Sequence, residues 1–130
     1  MKSEIGEQRR DIRERTFEFA RRVVKVCQML DQTPGVSRTL ANQLLRSASS
    51  VGANVEEGQA SQSRADFISK YSIACKEARE SHYWLRLLAA TDVTDADRLA
   101  PLIEEANQLV AILTTIVKRT RAGSVKSERV

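Results

Sequence analysis

Ser47-Ala48-Ser49-Ser50-Val51-Gly52-Ala53-Asn54-Val55-Glu56-Glu57-Gly58 lies where two helical patterns meet, together filling residues 36–90. Through it and just upstream, Leu40, Leu44, Ala48, Val51 and Val55 recur at steps of three and four, the spacing of one apolar helix side. The intervening residues are unusually small: Ala41, Ser47, Ser49, Ser50, Gly52 and Ala53. Small side chains let a second backbone come close, so this helix is expected to pack on more than one side. Gly58 is expected to stop it, because glycine takes the left-handed cap conformation without steric cost.

Working outward, Ser37 is the expected N-cap of this second helix, with Arg38, Asn42 and Arg46 on its polar side. Ser63, followed three residues later by Asp66, opens a third helix over about 64–90. Its core stripe is Phe67, Tyr71, Ala74, Ala78, Ser81, Leu85 and Leu88. A second apolar group, Ile73, Trp84 and Leu87, lies about 120° round the same helix beside Glu77 and Glu80. The expected use of that group is a subunit interface, with lateral packing inside one monomer as the alternative.

The first helix is expected over about 8–32, with Ile12, Thr16, Phe17, Ala20, Val23, Val24, Cys27 and Leu30 on its inner side. Thr33-Pro34-Gly35 ends it. After a turn at 91–95, a fourth helix carries Leu99, Leu102, Ile103, Ala106, Leu109, Val110, Leu113, Ile116 and Val117. Pro101 suits only a first turn, so the main helix is expected to begin near 99 or 100, after a short separate turn at 95–98. The sum is an all-α, antiparallel up-down-up-down four-helix bundle over 8–121, with a basic disordered tail at 122–130.

Composition agrees with that architecture. In 130 residues there are two Pro and five Gly, and aromatics make up 5%. The core must therefore be aliphatic and helical, since β-branched alternation bounded by turn residues is absent. Net charge is +4, with basic residues gathered near 9–25 and 118–130 and acidic ones at 91–117, a split able to steer an anionic partner. Cys27 and Cys75 stand alone inside helices, as reduced buried thiols of a cytoplasmic protein do. No secretory signal and no run of about eighteen apolar residues is present, so no membrane span is expected.

Catalytic patterns fail on spacing. His82 is the one histidine and has Arg79, not Glu, three residues before it, so the Glu-x-x-His pairs of a bundle metal site are missing. Nothing pairs His82 with a nucleophile. The HEPN ribonucleases have four to six residues between an Arg and a His on one helix, whereas Arg79 and His82 have two between them. Glu56 and Glu57 point about 100° apart and share no site. The expectation is a protein that is not an enzyme and takes no metal or cofactor.

The block from Arg46-Ser47-Ala48 to Asn54-Val55-Glu56-Glu57-Gly58, with Ser63, Asp66-Phe67 and Ile73-Ala74, resembles the bacterial four helix bundle protein family. That family includes proteins encoded in intervening sequences of large-subunit rRNA genes, and the accessory variability determinant (Avd) of diversity-generating retroelements. The resemblance covers roughly 12–118 and implies a ring-like homopentamer with a basic surface. In the Avd branch it also implies association with nucleic acid and with a reverse transcriptase. It further implies that Asn54, Glu57 and Gly58 are structural, holding the end of the second helix. The first helix departs from the family pattern, with Arg9–Arg15 in place of an aromatic-rich opening. RNA or DNA is therefore the expected partner, held by its backbone. The candidate phosphate contacts are Arg9, Arg10, Arg13, Arg38, Arg46, Lys118, Arg119 and Arg121. A protein-interaction scaffold that binds no nucleic acid is the alternative.

Overall fold

Steps of three and four in apolar positions produce four helices. They are α1 (Glu4–Leu30), α2 (Val36–Gln59), α3 (Arg64–Ala90) and α4 (Ala96–Arg129). The computed structural model describes the backbone of residues 4–129 and the side chains of residues 12–123. Each helix packs on its chain neighbours and α1 closes against α4, while among the described residues the backbones of diagonal pairs stay further apart. That is the contact pattern of an up-and-down bundle.

The inner side of α1 is Ile12, Thr16, Phe19, Val23, Cys27 and Leu30, all buried. Phe17, expected inside, is 68% exposed, and Phe19 takes the core position. Position 19 continues the alternation of three- and four-residue steps through 12, 16, 23, 27 and 30, whereas 17 falls about 100° off that line. Thr16 survives in the core because its hydroxyl donates to the Ile12 carbonyl at 2.8 Å.

Small residues in α2 do bring backbones together. A Cβ added to Gly52 would stand 3.4 Å from the Thr16 carbonyl oxygen of α1. On the opposite side, buried Ser47 shares a 2.9 Å hydrogen bond with Ser81 of α3.

Gly58 does not stop α2. The helix runs through it to Gln59, and its cap is Ala60 in right-handed geometry, with φ −88°. The glycine is required for space instead: a Cβ there would lie 2.6 Å from Cδ1 and Cε1 of Tyr71. At the other end of α2, the cap residue is Gly35, with φ +95°, and no side chain caps the helix. Ser37, expected in that role, lies inside the first turn and donates to the Leu30 carbonyl at 2.9 Å, closing the end of α1.

Ser63 caps α3 as the sequence indicates, its Oγ accepting from the Asp66 amide at 3.0 Å. Helix α4 starts at Ala96, earlier than expected, because Asp95 Oδ1 accepts from the Asp97 amide at 3.0 Å and nucleates the turn. Pro101 therefore sits in the second turn, where its ring faces solvent. The irregular tail expected from 122 meets a helix assigned through Arg129, whose side chains beyond 123 lie outside those described. By length and composition α4 is long and apolar enough to cross a membrane. Here its apolar residues Leu99, Leu102, Ala106, Leu109, Leu113 and Ile116 are consumed in the bundle core.

Candidate nucleic-acid interface

The expected phosphate contacts divide into two groups. Arg13 pairs with Glu56 at 3.3 Å, and Arg38 pairs with the Asp31 carboxylate at 3.1 Å. Arg46 reaches Glu80 at 2.5 Å and Glu77 at 3.5 Å across the α2/α3 seam. Arg119 also has an interaction partner. Each of these cations is at least partly engaged within the subunit. Arg9 and Arg10 lie outside the residues whose side chains are described.

Lys118 and Arg121 differ. Together with Arg79 of α3 they are exposed and make no ion pair among the described residues. All three line one groove between α3 and α4, with a volume of about 270 Å³. Its other walls are Ser72, Cys75, Thr114 and Val117, so no acidic side chain lines it. The placement follows from helical register: 72, 75 and 79 rise along one side of α3, and 114, 117, 118 and 121 along the facing side of α4. Cys75 Sγ and Thr114 Oγ1 meet at 3.3 Å and fix the alignment of the two helices. Sequence reading missed Arg79, whose only linear signal is a basic residue one turn beyond Cys75.

The Arg46 cluster has mixed electrostatics. The Arg46 hydrogen bond holds the Glu80 carboxyl below its ordinary range, against a smaller upward push from burial. Burial, followed by the hydrogen bond to Glu80, raises Glu77. The same ion pair raises Arg46. This trio spans the edge of the expected interface group. Trp84 packs against the core from within the subunit, Leu87 is half-buried, and Ile73 is 38% exposed. Trp84 Nε1 is buried without a hydrogen bond of standard geometry, although the indole does help to lower Glu80.

The expected structural residues act locally. Asn54 donates to the Ser50 carbonyl at 2.9 Å and to Ser50 Oγ at 3.0 Å, inside α2. Glu57 is exposed. A stronger tie escaped the sequence entirely. Arg15 of α1 grips both Glu105 oxygens of α4, at 3.1 and 2.6 Å, and the Gln108 oxygen at 2.9 Å. His82 is half-buried, and desolvation, with Arg86 adding to it, lowers its pKa against an opposing pull from Glu104. Among the described residues no group of three or more His, Cys, Asp or Glu is placed to hold a metal.

Comparison with known proteins agrees with this architecture. No curated protein matches the chain. A crystal structure of a protein of unknown function, from the S23 ribosomal protein family of Bacteroides thetaiotaomicron VPI-5482, is similar. It is 35% identical, the match covers 85% of this chain and 98% of that one, and the TM-score is 0.78. The family model described as 23S rRNA-intervening sequence protein matches residues 8–115. With that span of the bundle matched and a solved relative of similar fold at 35% identity, the chain belongs to the 23S rRNA-intervening sequence protein family.

Proposed function

We propose that this protein is a non-catalytic, cytoplasmic nucleic-acid-binding accessory protein that works as a homo-oligomer and holds RNA or DNA by its phosphates. The observation that carries the reading is the groove of Arg79, Lys118 and Arg121, three cations gathered in one place without carboxylate partners among the described residues, whereas Arg13, Arg38 and Arg46 are paired. A phosphate backbone supplies the missing counter-charge, and such binding is independent of base sequence and sensitive to salt. No aromatic ring is among the residues that line the groove, and the exposed Tyr83 stands one turn beyond Arg79 on α3. Tyr71 is buried, and Trp84 packs against the core on another side of α3.

Assembly is the second part of the reading. Ile73, Trp84 and Leu87 lie about 120° round α3 from the groove residues, so a ring built through them leaves the groove open. The pentameric count rests on the resemblance to the four helix bundle protein family, and a reverse transcriptase partner on its Avd branch. The family name makes RNA the first nucleic acid to test.

Titration of labelled single-stranded RNA and DNA at several salt concentrations tests the binding. Replacing Arg79, Lys118 and Arg121 together by Gln should flatten the plot of log affinity against log salt by about 2, at roughly 0.7 per phosphate contact. No binding at low salt refutes it. Sedimentation at micromolar concentration tests the assembly, and a lone 14.6 kDa particle refutes that part. A scaffold reading is favoured by one separate observation, the exposed Phe17, Val24 and Leu45 on the α1/α2 side. It predicts a partner retained after nuclease treatment and in high salt.

A further inference from the structure

We infer that the α3/α4 groove prefers a phosphate monoester, the terminal phosphate of a nucleic-acid strand, over the internal phosphodiesters of its backbone. The inference rests on the nucleic-acid reading for its ligand and goes beyond it in chemistry. Three features of the groove point there.

First, its charge is high for its size. Arg79, Lys118 and Arg121 all line one groove of about 270 Å³, and no carboxylate lines the walls. A terminal phosphate carries close to two negative charges at neutral pH, against one for a diester, and so balances more of this cluster.

Second, the groove holds a hydroxyl without a partner. Ser72 Oγ is buried and makes no hydrogen bond. A helical serine ordinarily turns its hydroxyl back to the carbonyl one turn earlier, as Ser81 does toward Glu77 at 2.9 Å. Ser72 leaves that bond unmade on the wall of the cationic groove. A buried hydroxyl left unsatisfied is unfavourable, and a turn of the Ser72 side chain toward an oxyanion in the groove would relieve it.

Third, the remaining polar groups are further donors. Cys75 donates to the Val110 carbonyl at 3.8 Å and meets Thr114 Oγ1 at 3.3 Å, so a ligand would draw the Thr114 hydrogen away from the Cys75 sulfur. Arg79 enters from one end of the groove and Lys118 and Arg121 from the other, one turn or more along their helices from the Cys75–Thr114 contact. A monoester offers three oxygens to donors at both ends and at the wall. A diester has two free oxygens for the same donors.

The test uses the full chain and three labelled RNA oligonucleotides of one sequence: hydroxyl-ended, 5′-phosphorylated and 3′-phosphorylated. Inorganic phosphate serves as a competitor. The expected result is at least about tenfold tighter binding of one phosphorylated form over the hydroxyl-ended one, the scale of a charged hydrogen bond. Ser72→Ala should remove most of that preference while leaving hydroxyl-ended binding in place. It should also hold or raise thermal stability, since it deletes an unsatisfied group; a merely structural serine would not separate the two readouts. Equal binding of all three oligonucleotides overturns the monoester site and leaves the general nucleic-acid reading standing. Saturable binding of inorganic phosphate with no binding of any oligonucleotide overturns the strand-end assignment and the nucleic-acid reading with it. No binding of either overturns both.

Discussion

Replacing Gly58 with alanine should destabilise the bundle, although alanine is the better helix former. A Cβ at position 58 would stand 2.6 Å from two carbons of the Tyr71 ring, where carbon contacts settle at about 3.5–4.0 Å. The ring must therefore move by roughly 1 Å, and it has little freedom to do so. Tyr71 is fully buried, its ring stacks on Phe67 at a centroid distance of 4.1 Å, and its hydroxyl accepts from Gln59 Nε2 at 2.6 Å. Overpacking of this kind costs about 1–3 kcal/mol. Disturbing the Gln59 hydrogen bond adds about 1 kcal/mol. Against these stands a gain of about 1 kcal/mol from helix propensity. The net is a loss of about 1–3 kcal/mol, or a fall in Tm of roughly 4–12 °C at about 4 °C per kcal/mol for a chain of this size. Urea and thermal melts followed by circular dichroism measure it. In a Tyr71→Ala background the same change should instead stabilise, by up to about 1 kcal/mol, since propensity then faces only a 3.4 Å approach to Lys70 Cβ. If Gly58→Ala alone is as stable as the parent or more so, the close approach of Tyr71 is not what requires glycine, and the reasoning fails.

Four further outcomes follow from the packing and the charges. Phe19→Ala should lose about 3–5 kcal/mol while Phe17→Ala stays within about 0.5 kcal/mol, as read by urea melts; equal losses would mean the α1 register is wrong. Arg15→Ala should lose about 1–3 kcal/mol, and a double-mutant cycle with Glu105→Ala should show coupling, whereas additive losses would deny the α1/α4 tie. Cys27 is pushed up to about 11 by burial, with Asp31 adding to it, so iodoacetamide at pH 8 should modify it only after denaturant is added. The folded pKa of Glu77 lies above its unfolded value, so its ionisation works against folding at neutral pH and the penalty fades as pH falls toward the carboxylate range. Glu77→Gln should therefore stabilise most near pH 7, with a gain that shrinks on acidification; a gain that grows instead would reverse the assigned direction. Glu80, with its pKa lowered by Arg46, contributes in the opposite sense, its stabilisation present above the unfolded carboxylate value and lost as pH falls through the folded one.

Four helices, their order and most of the core were legible in the linear pattern, because burial on one side of a helix writes itself into the sequence every three or four residues. The Ser63 cap and the core stripe of α3 were readable for the same local reason. Local rules failed where space or a distant partner decided. Gly58 looked like a helix stop, but what it accommodates is a ring thirteen positions further on. Ser37 looked like a cap for its own helix and serves the carbonyl of the preceding one. Arg13, Arg38 and Arg46 read as free cations, because the carboxylates that engage them lie seven to forty-three positions away. The converse holds for Arg79, which becomes part of a basic groove only when α4 brings Lys118 and Arg121 beside it. Periodicity is a property of one helix and survives in the chain as written. Charge balance and close contact are properties of pairs of helices, and only their packing decides which charges remain without a partner.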